Sequence, residues 1–224
     1  GAYVLASAAA YFPKKTIHVA VVDPGVGTKR RPILTVTKHA FYVGPDNGLL
    51  MLSAQRQDIG QVYHITNKQY MHPQVSRTFH GRDIFAPTAA HLAKGLIPSE
   101  VGSEIHDHIV PEFAKPSLAK NAVLGEVLHI DSFGNVVTNV SLKELKKIGI
   151  REGNVFNVKL KEDVVKLKLS TAYGEAEAKQ PLAIVGSHNF LEISINQGDA
   201  SKAFETGIGN SVQIFSSNRG SRRI

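Results

Sequence analysis

The apolar positions change their period partway along the chain. Up to about residue 110, strand-like and helix-like stretches alternate: an Ala-rich helical start over residues 1–10, an apolar run at 17–22, a Gly-containing turn, then strands at 33–37 and 40–43. Residues 49–55 and 83–94 read as helices, the second running into Gly95, and each follows a loop. Alternation of this kind predicts an α/β sheet.

Between about residues 110 and 121 the pattern dissolves into Pro111, Pro116, Ala and Lys, a linker composition. Beyond it, short runs rich in apolar and β-branched residues recur at 122–130, 136–140, 155–160, 164–169, 181–185, 190–195 and 212–215, with turn residues between them. They predict a small antiparallel barrel or sandwich. The expected architecture is therefore an α/β N-terminal domain over residues 1–115, with a central sheet flanked by helices, and a smaller all-β, barrel-like C-terminal domain over residues 116–224. The chain opens already inside a helix with no capping residue ahead of it, which reads as an N-terminal domain lacking its first strand and helix.

Composition narrows the function classes. The 42% hydrophobic and 20% charged content is that of a globular protein. No apolar run reaches the roughly 18 residues that span a bilayer, and the start lacks the basic flank of a leader, so no membrane role and a cytoplasmic location are expected. With no cysteine, disulfides, thiolate nucleophiles and cysteine-bound metals are excluded. The net charge of +7 invites a nucleic-acid reading, but residues 1–120 carry 13 basic and 8 acidic residues and the remainder 13 and 11. Neither half is a dedicated basic surface, so nucleic acid is not the expected partner.

Four segments concentrate polar groups. Residues 21–31 (VVDPGVGTKRR) end a strand in Asp23 and a Gly-containing loop in Arg30 and Arg31. Open α/β sheets place ligands at such strand ends, yet the loop matches neither G-x-x-x-x-G-K-[ST] nor G-x-G-x-x-G, and a tight structural turn fits the spacing equally. Residues 77–83 (RTFHGRD) set Phe79, His80 and Asp83 just ahead of a helix, where Asp83 alone could be a cap and His80 a surface residue. Residues 130–139 (IDSFGNVVTN) and 186–200 (GSHNFLEISINQGDA) read as hairpin turns or as binding loops. The ten histidines show no H-E-x-x-H spacing and no G-x-S-x-G occurs, so neither a metal site nor a serine nucleophile is expected.

Taken together, residues 21–28 (VVDPGVGT), 44–50 (GPDNGLL), 79–83 (FHGRD), 131–135 (DSFGN) and 190–193 (FLEI) resemble one family in order along the chain. It is that of the S-adenosyl-L-methionine (SAM) hydrolases, also called SAM hydroxide adenosyltransferases, relatives of the fluorinase and chlorinase enzymes. The resemblance implies an α/β domain followed by a β-barrel, a homotrimer with active sites between subunits, and hydrolysis of SAM to adenosine and L-methionine without a cofactor. It puts the catalytic set on Asp23, Arg30 and His80. It also implies that Phe79 packs on the ribose and sulfonium region, Asp131 meets the methionine amino group, Asn135 meets adenine, Ser187 meets the methionine carboxylate, and Asn196 and Gln197 border adenine, with Phe133 among the binding residues. Halogenating relatives carry an aromatic residue where Asp23 stands, and an acid there repels halide. Against hydrolysis stand a non-catalytic SAM or adenosine sensor, which needs Asp131 and Asn135 but not the Asp-Arg-His set, SAM-dependent halogenation, and nucleic-acid binding.

Overall fold

The computed structural model describes residues 1–216, and the end of the expected C-terminal domain, residues 217–224, lies outside the described residues. The chain divides into two compact units, Gly1–Ala114 and Lys115–Ile224.

In the first unit the elements are α1 (Ala2–Ala9), β1 (Thr16–Val19), β2 (Pro32–Thr37), β3 (Ala40–Pro45), α2 (Met51–Ala54), β4 (Ile59–His64) and α3 (Ala86–Ala93). The sheet runs β1-β3-β2-β4, with β1 parallel to β3 and the other neighbours antiparallel. Alternation assigns its two faces. Leu34, Val43 and Tyr63 face one way and join Ile84, Phe85 and Leu92 of the α3 region in one core. His18, Tyr42 and Thr35 lie side by side across three strands and face the other way. There His18 stacks on Tyr42 with ring centroids 5.0 Å apart, and the Tyr42 hydroxyl accepts from Ser53 of α2 at 2.9 Å.

Two sequence expectations shorten here. The apolar run at 17–22 is strand only to Val19, because after the Ala20 N–H bonds the Val43 carbonyl the chain leaves the sheet. The helix expected over 49–55 is regular only over Met51–Ala54, its last turn tightening to a 3₁₀ turn at Gln55–Gln57.

His18 is held uncharged by burial, its Nε2 having no hydrogen-bond partner among the described residues, and His64 is held uncharged by burial and by the nearby Arg31 charge. Both pKa values are lowered, so the unfolded chain takes up protons first as pH falls. Stability is therefore expected to be full above the ordinary histidine value of about 6.5 and to decline as pH falls below it. Urea midpoints at about pH 7.5 and 5.5 check this, and His18→Phe, which keeps a ring on Tyr42, is expected to flatten the dependence.

The second unit contains β5 (Ser117–Ala119), β6 (Ala122–Ile130), β7 (Val136–Ser141), α4 (Leu142–Lys147), β8 (Val155–Leu160), β9 (Asp163–Ser170), β10 (Pro181–Val185), β11 (Phe190–Ile195), α5 (Ala200–Ala203) and β12 (Ser211–Ser216). Sheet order is β12-β8-β9-β10-β11-β7-β6-β5, and β12 also pairs with β6. That extra pairing closes seven strands into a barrel and leaves β5 outside on β6. Period-two alternation fills the interior: Phe156, Val158 and Leu160 from β8, Leu167 and Leu169 from β9, Leu191 and Ile193 from β11, Val212 and Ile214 from β12. Each such side chain contributes about 1.5–3 kcal/mol by leaving water.

The unit differs from the sequence expectation in two respects. It is not purely antiparallel, since β9 and β10 run parallel. It also carries helices, of which α4 is started by a capping box in which Ser141 and Glu144 satisfy each other's backbone groups.

Candidate active site

The 20–31 segment is held from below by residues 44–48. A side chain at Gly44 would collide with the Ala20 carbonyl, so glycine lets the departing strand lie against β3. Asn47 Nδ2 donates to the Val22 carbonyl at 2.9 Å, while Asn47 Oδ1 accepts the Leu49 N–H at 3.1 Å. Asp46, 3% exposed, accepts Arg31 Nε at 3.0 Å and Nη2 at 2.7 Å on one oxygen and the Ile109 N–H at 2.8 Å on the other. The GPDNG motif is thus a frame that fixes both ends of the loop. Within it Thr28 accepts from the Arg30 N–H at 3.3 Å, and Gly27, at φ +75°, lies so close to the Arg77 carbonyl that no side chain fits.

The frame delivers Asp23 and Arg30 onto each other. Arg30 Nε donates to Asp23 Oδ1 at 2.9 Å and Arg30 Nη2 to Asp23 Oδ2, a two-point fork between side chains only 7% and 5% exposed. Arg30 Nη2 also meets His80 Nδ1 at 3.1 Å, and the guanidinium carbon lies 5.4 Å from the centre of the buried Phe85 ring. Arginine has only donors, so the His80 contact uses the Nδ1 lone pair and puts the imidazole proton on Nε2. The last guanidinium nitrogen, Arg30 Nη1, is buried with no acceptor among the described residues.

His80 reaches this place through a loop tied by Asp83. That carboxylate is fully buried and accepts the Ser76 N–H at 2.7 Å and Arg82 Nε at 2.6 Å. Arg82 above all, with the Ser76 N–H, holds Asp83 far below the usual carboxylate range. Arg82 in turn lies 4.9 Å over the Phe79 ring, and the Phe79 N–H donates to Ser76 Oγ at 2.9 Å. After His80 the chain makes one wide turn over Gly81–Phe85, closed by the Ala86 N–H on the Gly81 carbonyl, before regular α3 begins. Such widened turns recur at functional sites. Asp83 is therefore not the simple helix cap that the spacing allowed.

The second unit has its own cavity of about 680 Å³, lined among others by Asp131, Phe133, Asn135, Tyr173, Asn196 and Gln197. Asp131 and Asn135 face each other across the β6–β7 turn: Asp131 accepts the Phe133 and Asn135 N–H groups and Asn135 Nδ2, each at 2.9 Å. Asn196 Nδ2 donates to the Ala176 carbonyl at 2.8 Å, which pins the 171–180 loop beside the cavity. Ser187 does not line the cavity. It lies in the β10–β11 turn, separated from Asn196 by β11, a strand of roughly 20 Å at ~3.3 Å per residue. Phe79 and Phe133 are 57% and 75% exposed.

Sequence reasoning missed Tyr173, Lys179, Ile195 and Asp199 in the cavity wall. Ile195 and Asp199 lie in the 186–200 segment read as turns or binding loops, and Asp199 also caps α5, whereas Tyr173 and Lys179 lie in none of the polar segments. Among the described residues no cluster of His, Cys, Asp or Glu could hold a metal ion, and no helix is long and apolar enough to cross a membrane.

An α/β unit presenting a buried Asp–Arg pair in contact with a histidine, joined in sequence to a closed β-barrel with a cavity large enough for a small molecule, is the architecture of a small-molecule enzyme. The SAM hydroxide adenosyltransferase N-terminal domain matches residues 1–102, and the C-terminal domain of the same family matches residues 125–213. The chain belongs to the SAM hydroxide adenosyltransferase family. It is 35% identical to "(R)-S-adenosyl-L-methionine hydrolase" of Methanocaldococcus jannaschii over 96% of this chain and 77% of that protein. It is 27% identical to a fluorinase of Nocardia brasiliensis over 91% of this chain and 77% of the other. The crystal structure of an uncharacterized conserved protein from Thermotoga maritima superposes with a TM-score of 0.82 at 36% identity, covering 96% of this chain and 82% of that one.

Proposed function

We propose that the protein hydrolyses SAM to adenosine and L-methionine, water attacking the ribose C5′. The sulfonium leaves with the bonding pair as neutral methionine thioether, so the departing side needs no acid, metal or cofactor. The difficulty lies with the nucleophile, since bulk water has a pKa of about 15.7. Arg30 Nη1 is the donor that holds a hydroxide-like oxygen in line with the C5′–S bond, and His80, whose Nδ1 receives Arg30 Nη2, fixes the guanidinium that presents it. Asp23 orients Arg30 and compensates its buried charge. The new O–C5′ bond makes the 5′-hydroxyl of adenosine, with inversion at carbon, and the displaced water proton passes to solvent.

The single observation that carries this reading is the buried Arg30 Nη1–H with no acceptor among the described residues, in a guanidinium otherwise engaged by Asp23 and His80. A buried donor left unmatched is costly, so such a group favours a ligand oxygen. Asp23 also argues for water over halide, because its charge repels an incoming anion.

We assign the barrel cavity to the adenosyl half, with Asn135, Asn196 and Gln197 around the base, Phe133 against it and Asp131 toward the methionine amino group. Phe79 lies by the ribose and sulfonium, and Ser187 meets the methionine carboxylate. The assembly we propose is a homotrimer in which neighbouring subunits complete each site. The exposure of the Phe79 and Phe133 rings supports it, because large apolar side chains beside binding residues are commonly covered by substrate or subunit.

The test is incubation of the protein with SAM in oxygen-18 water. Release of adenosine and methionine is expected, with label in the adenosine and none in the methionine. Intact SAM, or unlabelled adenosine, refutes the reading.

A further inference from the structure

β11 carries an acid where its pattern calls for none. Leu191 and Ile193 point into the barrel, so Phe190, Glu192 and Ser194 point outward, where a strand side chain ordinarily meets water. All three are nevertheless buried, and Glu192 is 5% exposed. Burying a carboxylate without partners is strongly unfavourable, and an apolar residue of similar size would serve the barrel at least as well.

Glu192 is not without partners. Tyr173 donates its hydroxyl to Glu192 Oε1 at 2.7 Å, Ser194 donates to the same oxygen at 2.8 Å, and His188 Nε2 lies 3.6 Å from Oε2. Burial pushes this carboxyl up, but His188 and the two hydroxyls outweigh it and leave the group below the usual range, charged at neutral pH.

These partners come from different parts of the unit. Tyr173 belongs to the loop after β9, lines the cavity and is 44% exposed, and its hydroxyl end is held on Glu192. His188 belongs to the β10–β11 turn beside Ser187, and its ring stacks on Phe190 with centroids 5.9 Å apart. The acid thus stands between the cavity wall and the turn at the far end of β11.

We infer that Glu192 is a positioning residue for substrate binding: its carboxylate anchors the Tyr173 hydroxyl so that the ring forms a fixed wall of the barrel cavity, and it ties that wall to the His188 turn. A charge-assisted bond to a phenol fixes the ring plane while leaving its face open to a planar ligand. The ring is then held before a base arrives, which removes an ordering cost from binding. The inference rests on the assignment of this cavity to the adenosyl half of the substrate. It adds a residue that does not touch the ligand.

The experiment compares the wild type, Tyr173→Phe, Glu192→Gln and the double variant by titration with adenosine and by steady-state kinetics on SAM. Tyr173→Phe keeps the ring and removes only the anchor, so it tests the idea even if Glu192→Gln folds poorly. Each single change is expected to weaken adenosine binding and raise KM by about 5- to 20-fold, with kcat falling far less than KM rises. The double variant is expected to be no weaker than the worse single one, because both cut the same link. Wild-type affinity in Tyr173→Phe overturns the inference, as do fully additive losses in the double variant or equal falls in kcat and kcat/KM. If the wild type hydrolyses SAM but does not bind adenosine, the cavity assignment fails and this inference fails with it. If the wild type binds adenosine and the variants match it, only the positioning role falls.

Discussion

His80→Ala is expected to lower kcat for SAM hydrolysis by about two orders of magnitude or more, the usual loss when an acid–base or hydrogen-bonding group acting on the nucleophile is removed. His80 Nδ1 is engaged by Arg30 Nη2 at 3.1 Å, so alanine removes the group that fixes this side of the guanidinium while leaving the Asp23–Arg30 fork intact. KM is expected to change much less, since the lost interaction acts on water rather than on the sulfonium compound. Arg30→Ala should lose turnover on the same scale, because it removes the buried Nη1 donor proposed to hold the oxygen. Steady-state rates from adenosine release decide the matter. Full activity in His80→Ala removes the imidazole from the reaction.

The second large effect is on stability. Asp23→Ala leaves the Arg30 guanidinium, 7% exposed, without its counter-charge in the interior. Breaking a buried pair from one side typically costs about 3–5 kcal/mol, more than the pair itself contributes, because the remaining charge is stranded. The urea midpoint should fall accordingly, and turnover with it, since Arg30 no longer has a fixed direction. Asp23→Asn separates the two effects: an amide keeps one acceptor for Arg30 Nε, so orientation is retained in part while the charge is still lost. An unchanged midpoint in Asp23→Ala would show that Arg30 does not depend on this acid.

Much of the fold was legible in the sequence because it rests on local periodicity. The runs at 33–37, 122–130, 155–160, 181–185 and 190–195 are strands in the structure, since short apolar and β-branched runs bounded by turn residues mark buried strands. What was not legible is non-local. The closure of the barrel by β12 on β6 and the parallel pairing of β9 with β10 depend on partners more than ten residues away, which no window of sequence reveals. β4 escaped because its Ile59–His64 stretch alternates weakly around Gly60 and Gln61.

The site divides the same way. Motif order pointed to Asp23, Arg30 and His80, and these three stand in contact. By spacing alone His80 was no better than a surface histidine, because the contact with Arg30 spans 50 residues. Tyr173 lay in a polar loop outside every motif, and Glu192, though inside the 190–193 motif, received no role, because an isolated acid in an apolar strand carries no spacing to read.

The support beneath the 20–31 loop comes largely from groups outside it. Gly44 sits against the Ala20 carbonyl, Asn47 grips the Val22 carbonyl, and Asp46 holds Arg31. The loop is therefore carried on a chassis bolted elsewhere. A lineage can exchange side chains carried there without rebuilding the scaffold, and a kinship that takes in both hydrolases and a fluorinase is what such a chassis permits.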